Sequence, residues 1–272
     1  MTKRYPILFG LLLQTLVSFS QQENWEAYTA QYQKGPGSTV INMSLRGAAP
    51  MKQFPYLLTT GVKFLDCSNE GFPVKDGFEI LYKISDTIKN IIDLKLKNKA
   101  VGTFTYQCER LDYYYLTDTT GIRKLLGSAY ERNFPEYEYS ISIRNDKEWN
   151  GYLTFLYPNE ITYEYITNQK VIINLTNAGD DLSKARKVDH WLFFNTESDR
   201  GKFIAYAEKQ KFKIESENVA KESKLKYPLQ ISRTDNVDVK SISTITIGLR
   251  KKAKELNGEY DGWETVVVKQ NP

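Results

Sequence analysis

Near the C-terminus, Val239, Ile242, Ile245, Leu249, Ala253 and Leu256 recur at three- and four-residue spacing. That is the apolar stripe of an amphipathic helix, and such a stripe is stable only when it is laid against another apolar layer. Asn257-Gly258 supplies the left-handed residue that stops a helix. Asp261-Gly262 reads as a tight turn, Trp263 as an anchor in the sheet–helix core facing Leu249 and Ala253, and Val266-Val267-Val268 as a following strand. The segment therefore requires a sheet for its helix to cover.

The residues upstream provide one. Val188 to Phe194 reads as a strand, and Glu197-Ser198-Asp199-Arg200 opens a helix with apolar positions Phe203, Ile204 and Ala207. Phe212 to Glu215 and Pro228 to Arg233 read as two further strands. Residues 184–272 thus follow the order strand–helix–strand–strand–helix–strand, the ferredoxin-like split βαβ arrangement. Val188-Asp189-His190 and Glu259-Tyr260-Asp261-Gly262-Trp263 make this unit similar to the RraB family, regulator of ribonuclease E activity B. The resemblance implies the same fold and a role in binding and regulating another protein. Regulators of that family resemble strongly acidic proteins, whereas this unit carries basic runs at Lys209-Gln210-Lys211 and Arg250 to Lys254.

Residues 24–160 predict a second α+β unit. Strands are expected over Ser38 to Arg46, Phe54 to Phe64, Val101 to Gln107, Leu111 to Leu116, Tyr137 to Ile143 and Trp149 to Tyr157. Phe78, Leu81, Ile84, Ile88, Ile91 and Ile92 have helical spacing, and Gly121 to Arg132 reads as a second helix ending near Pro135. Asn24-Trp25-Glu26-Ala27-Tyr28, Gly35-Pro36-Gly37, Phe54-Pro55-Tyr56, Val101-Gly102-Thr103-Phe104-Thr105 and Trp149-Asn150-Gly151-Tyr152 make this half similar to the bacterial domain of unknown function six-nine-five. That family brings a domain identity and no chemistry. Between the units, 161–183 reads as a linker region whose Ile161 to Leu175 carries β-type residues, with the break at Asn177 to Asp181. The fold class expected is α+β, two α/β-sandwich domains, the second ferredoxin-like.

Lys3-Arg4 followed by the apolar run Ile7 to Val17 and Ser18-Phe19-Ser20 has the form of a signal peptide over residues 1–20, predicting export to the periplasm or beyond. Its removal takes the formal charge from +4 to +2, too near neutral to draw nucleic acid or an anionic membrane. The chain has 19 Tyr and 13 Phe, much of them in alternating runs, which favours sheet. It has 1 His, and most metal sites and His-based catalysts need more ligands than that. No cofactor is expected. In an oxidising compartment Cys67 and Cys108 are either a disulfide or two small buried thiols.

Asp189 and His190 are the one acid–His neighbour pair, but adjacent strand residues point to opposite faces and cannot form a relay. Tyr260, Asp261 and Trp263 are either a ligand contact or, in the plainer reading, a turn and core aromatics. Tyr113-Tyr114-Tyr115 reads as a half-buried strand rather than a stacking platform, and Arg250 to Lys254 as solvated cations closing a helix dipole. The expected function is an exported, non-catalytic binding or regulatory protein whose partner is another protein. The alternatives are a cytoplasmic ribonuclease inhibitor, if residues 1–20 are not a signal, and an enzyme using carboxylates such as Asp66, Glu70 or Asp261.

Overall fold

A computed structural model describes residues 23–74, 77–217 and 227–269. The expected signal peptide, residues 1–20, lies outside the described residues.

The first unit is one antiparallel sheet covered on both faces. Its strands are β1 (Trp25–Tyr32), β2 (Gly35–Asn42), β3 (Tyr56–Lys63), β4 (Asn98–Tyr106), β5 (Glu109–Leu116) and β6 (Tyr139–Asn145), in the order β1-β2-β4-β5-β3-β6. Alternation along β5 sends Tyr114 and Leu116 to one face and Tyr113 and Tyr115 to the other. On the first face lie α1 (Gly77–Lys95), through Leu81, Ile84, Ile88 and Ile92, and α2 (Ile122–Asn133), through Ile122, Leu126 and Tyr130. On the second, Phe54, Trp149, Tyr152 and Leu156 pack against Leu57, Val101 and Tyr115. Trp149 stacks on Tyr115 with ring centroids 4.0 Å apart and donates from Nε1 to the Phe54 carbonyl at 3.0 Å. The β4–β5 turn places Gln107 and Cys108 at φ 51° and 61°, the left-handed pair that suits the twist of a tight hairpin. Cys108 is joined to Cys67 by a disulfide with Cα atoms 5.7 Å apart, tying that turn to the loop after β3.

The second unit begins earlier than its sequence pattern announces. Helix α3 (Glu160–Asn177) lies beside α5 (Val239–Glu255), and both, with α4 (Glu197–Lys209), cover one face of a sheet. Its strands are β7 (Arg186–Phe194), β8 (Lys213–Ser216), β9 (Tyr227–Asp235) and β10 (Gly258–Thr265), ordered β10-β7-β9-β8. In chain order this is βαββαβ, the ferredoxin-like topology, with α3 added in front. Thr196 caps α4 by accepting from the Asp199 amide at 3.1 Å, and Asp238 caps α5 by accepting from Ser241 at 3.0 Å.

Four expectations are corrected. Trp149 to Tyr157 is not a strand: Gly151–Leu156 form a π-helical turn, held because the buried Asp146 carboxylate accepts from the amides of Asn150 (3.0 Å) and Gly151 (2.8 Å) and from Tyr115 Oη (2.5 Å). Ile161 to Leu175 is helical and belongs with the second unit, where Ile172 and Leu175 pack on Val188, Val237 and Ile242. Asp261-Gly262 is a bulge inside β10 rather than a turn before a strand, and Val266 and Val267 are exposed beyond it. The expected break at Asn177 to Asp181 is pinned: Asp180 takes Arg186 in a buried ion pair and accepts from the Val268 amide at 2.8 Å, while the Asp181 amide donates to the Val268 carbonyl at 2.7 Å.

Candidate functional site

The motif residues of the second unit are divided between the two faces of its sheet. Alternation on β7 turns His190 toward the helices, where it is fully buried, and Asp189 to the other face, where it accepts from Gln230 at 3.1 Å and pairs with Lys187 at 2.9 Å. Glu215 joins this outer group, accepting from Ser232 Oγ at 2.7 Å; that bond and those from Lys213 and Lys187 hold its carboxyl down at about 2. Asp189 and His190 therefore form no relay.

His190 is built into the core. Its Nδ1 is 2.9 Å from Tyr260 Oη, and its ring meets the edge of Phe212 with centroids 5.6 Å apart. Burial, with Arg233 nearby, lowers its pKa to about 3, opposed only weakly by Asp189. A neutral imidazole bonded to a buried phenol is a packing element. Tyr260 is buried in the same core, and burial pushes its hydroxyl well above the usual range.

Trp263 sits elsewhere than expected. It packs against the cluster of Ile172, Leu175, Val188, Val237 and Ile242 rather than that of Leu249 and Ala253, and it is half-buried. Its Nε1 donates to Asn168 Oδ1 at 2.8 Å, and Asn168 Nδ2 donates to Ser243 Oγ (3.1 Å) and Thr246 Oγ1 (2.9 Å). Asn168 is fully buried, so this amide is the hub that joins α3, α5 and β10. Asp261 is exposed on the bulge, while Asp66 and Glu70 are exposed in the loop after β3; the structure does not gather these carboxylates into a shared pocket. Tyr113, Tyr114 and Tyr115 are all buried, leaving no face to stack on.

Beside this core a cleft of about 1050 Å³ opens between the two units. The first unit contributes Arg46, Leu153, Thr154 and Tyr157, and the second contributes Glu160, Tyr163, Arg250, Lys254 and the start of β10 at Gly258 to Tyr260. Two guanidiniums lie over tyrosine rings there: Arg46 over Tyr157 at 4.9 Å and Arg250 over Tyr260 at 5.2 Å. Arg250 is not the solvated cation that the basic run suggested, since its Nε donates at 2.7 Å to the buried Glu164. Arg46, Tyr157, Glu164 and Asn168 were missed in the sequence. The signal available was the spacing Glu164, Asn168, Ile172, Leu175, a helical stripe whose first two members are polar.

Residues 165–265 match the family described as regulator of ribonuclease activity B, RraB, and residues 23–157 match a family of unknown function, DUF695. No curated protein matches the chain. The RraB match takes in α3 from Tyr165 onward, in keeping with a second unit that starts before β7. An RraB domain supports a regulatory role exercised through protein interaction. The chain is thus a two-domain protein, an N-terminal DUF695 segment followed by a C-terminal RraB domain.

Proposed function

We propose that the protein is an exported, non-catalytic regulator that works by binding another protein through its RraB domain. The observation that carries this reading is the match over residues 165–265, which takes in α3 from Tyr165 onward and the ferredoxin-like unit to the end of β10 rather than a short motif. The motif residues fit it: His190, Tyr260 and Trp263 are occupied in packing, which leaves the sheet's outer face and the interdomain cleft to meet a partner. Export is supported by Lys3-Arg4 and the apolar run after them, and by the Cys67–Cys108 disulfide, which suits an oxidising compartment. Affinity capture with the tagged mature protein from the envelope fraction of its native host is the test. Recovery of a stoichiometric protein partner is expected; recovery of none, with the protein intact and folded, would end the proposal.

A second reading rests on the family's own description, regulation of ribonuclease activity, and makes this a cytoplasmic ribonuclease inhibitor. The basic runs at Lys209 to Lys211 and Arg250 to Lys254 weigh against an acidic docking surface of the kind those regulators resemble. A cleavage assay with purified ribonuclease E and its RNA substrate separates the two. No inhibition at stoichiometric protein is expected, and inhibition there would put the cytoplasmic reading first.

A further inference from the structure

We propose that the interdomain cleft is the partner-binding site and that it takes an extended, acidic peptide segment, with carboxylates on Arg46 and the peptide backbone along the outer edge of β10; this rests on the binding role proposed above.

The charges lining the cleft are unequally used. Arg250 is held by the buried Glu164 at 2.7 Å, and Lys254 meets Glu160 at 2.6 Å in an exposed pair, so each of these cations already has a carboxylate beside it within the second unit. Among the described residues no carboxylate lies within ion-pair range of Arg46, an exposed side chain whose guanidinium is laid on Tyr157. A stacked guanidinium keeps its planar edge of N–H donors, the geometry that grips a carboxylate with two parallel bonds, and stacking removes part of the entropy cost of holding it still. The remaining acidic residue of the lining, Glu259, precedes Tyr260 on β10. Tyr260 faces the helices, so alternation along β10 directs the Glu259 side chain toward the opposite face of the sheet, away from Arg250 and Tyr260.

The second observation concerns the backbone of this strand. β10 is an edge strand, paired with β7 on one side only, and Gly258 to Tyr260 line the cleft. An edge strand carries a row of N–H and C=O groups without a strand partner, the template on which an extended peptide adds itself to a sheet. One wall thus reads main chain without regard to sequence, while Arg46, from the other domain, reads charge. Tyr157, Tyr163 and Leu153 give the apolar surface between them. A cleft of about 1050 Å³ is large enough for several residues of chain. Neither domain alone has this arrangement, which gives a reason for the two to be joined.

The experiment is fluorescence anisotropy of the full mature protein with labelled hexaglutamate, hexalysine and a hexaglutamate N-methylated at alternate amides. Saturable binding of hexaglutamate and none of hexalysine is expected. Arg46→Glu should weaken binding at least tenfold and Arg46→Lys several-fold, because lysine keeps the charge but loses the fork. Lys83→Glu, an equal charge change on exposed α1, should leave it unaltered. N-methylation should cost about tenfold if the backbone pairs with β10. The proposal is overturned if hexaglutamate fails to bind, if Arg46→Glu binds as the parent does, if N-methylation has no effect, or if free glutamate or citrate competes as well per carboxylate as the peptide. Affinity capture distinguishes this from failure of the binding role itself. A partner recovered equally by parent and Arg46→Glu removes the cleft and keeps the role; no partner from either removes the role.

Discussion

The two domains solve the same problem with different interiors. In the first, a six-stranded sheet is covered on both faces, and its largest buried groups are aromatic: Trp149, Tyr115, Tyr130 and Tyr152. In the second, helices cover one face of a four-stranded sheet, and the helix layer is stitched by polar groups at Asn168, Ser243, Thr246, Glu164 and His190, each nearly or wholly buried. The aromatic interior gains from area removed from water, which is tolerant of small displacements. The polar interior gains little from each bond but loses heavily when a partner is missing, because a buried donor or acceptor is left dry. The second domain's helix layer should therefore be sensitive to truncation and, through His190, to acid; the first domain depends on a buried polar group chiefly at Asp146, under the π-helical turn.

Truncation gives the largest expected difference. A fragment of residues 184–272 lacks α3, so Ile172 and Leu175 no longer cover Val188, Val237 and Ile242, and Asn168 no longer serves Ser243, Thr246 and Trp263. The loss should be about 5 kcal/mol, from two buried aliphatic side chains and three hydrogen bonds. That is comparable to the whole stability of many small domains. Thermal melts of 184–272 and 158–272 check this: the longer fragment should unfold cooperatively and the shorter should not. Equal melting of the two would remove α3 from the domain.

Trp149→Ala should cost the first domain about 4 kcal/mol, the usual loss for a large, fully buried aromatic. Trp263→Ala, half-buried and at the rim, should cost about 2 kcal/mol, mostly by exposing Asn168. Denaturant titration of both variants measures the ordering, and a larger loss at Trp263 would reverse the comparison.

His190 supplies a pH effect confined to the second domain. Its folded-state pKa, about 3, lies below the ordinary value of 6.5, so the unfolded chain binds the proton first as pH falls. The stabilisation is complete above pH 6.5 and declines below it, by about 2 kcal/mol on reaching pH 5. Stability of 158–272 measured across that interval should show the decline, and His190→Phe should flatten it. An unchanged slope in the variant would assign the effect to other groups. The smallest effect belongs to Lys254→Ala: its pair with Glu160 is about 70% exposed on both sides, so the loss should stay below about 0.5 kcal/mol. A loss above about 1 kcal/mol by the same titration would mean that the cleft rim is more rigid than its exposure implies.

Much of the second domain was legible in the chain. The stripe from Val239 to Leu256 predicted α5, with Ile242, Leu249 and Ala253 buried as the spacing required, and strand alternation placed Asp189 and His190 on opposite faces. The helical α3 was not legible, because its buried side carries Glu164 and Asn168 while Ile161, Tyr163, Tyr165 and Ile173 are exposed. Polar residues inside and apolar ones outside cancel the periodic signal on which a helix is recognised. The π-helical turn at Gly151–Leu156 was hidden for a related reason: its aromatic alternation is that of a strand, and Asp146, which accepts its amides, lies outside the run.

By itself, the sequence determined the α+β class, the two domains and most of their strands, since these follow from period and turn chemistry within short windows. Tertiary structure decided where the second domain starts, which face each motif residue serves, and that Arg46 meets β10 across a cleft. Those depend on partners far apart in the chain. Asn168 and Trp263 are 95 residues apart, and no local pattern records that one will donate to the other. Periodicity is a property of neighbours along the backbone, whereas a buried polar hub exists only once distant segments have been brought together and must satisfy one another.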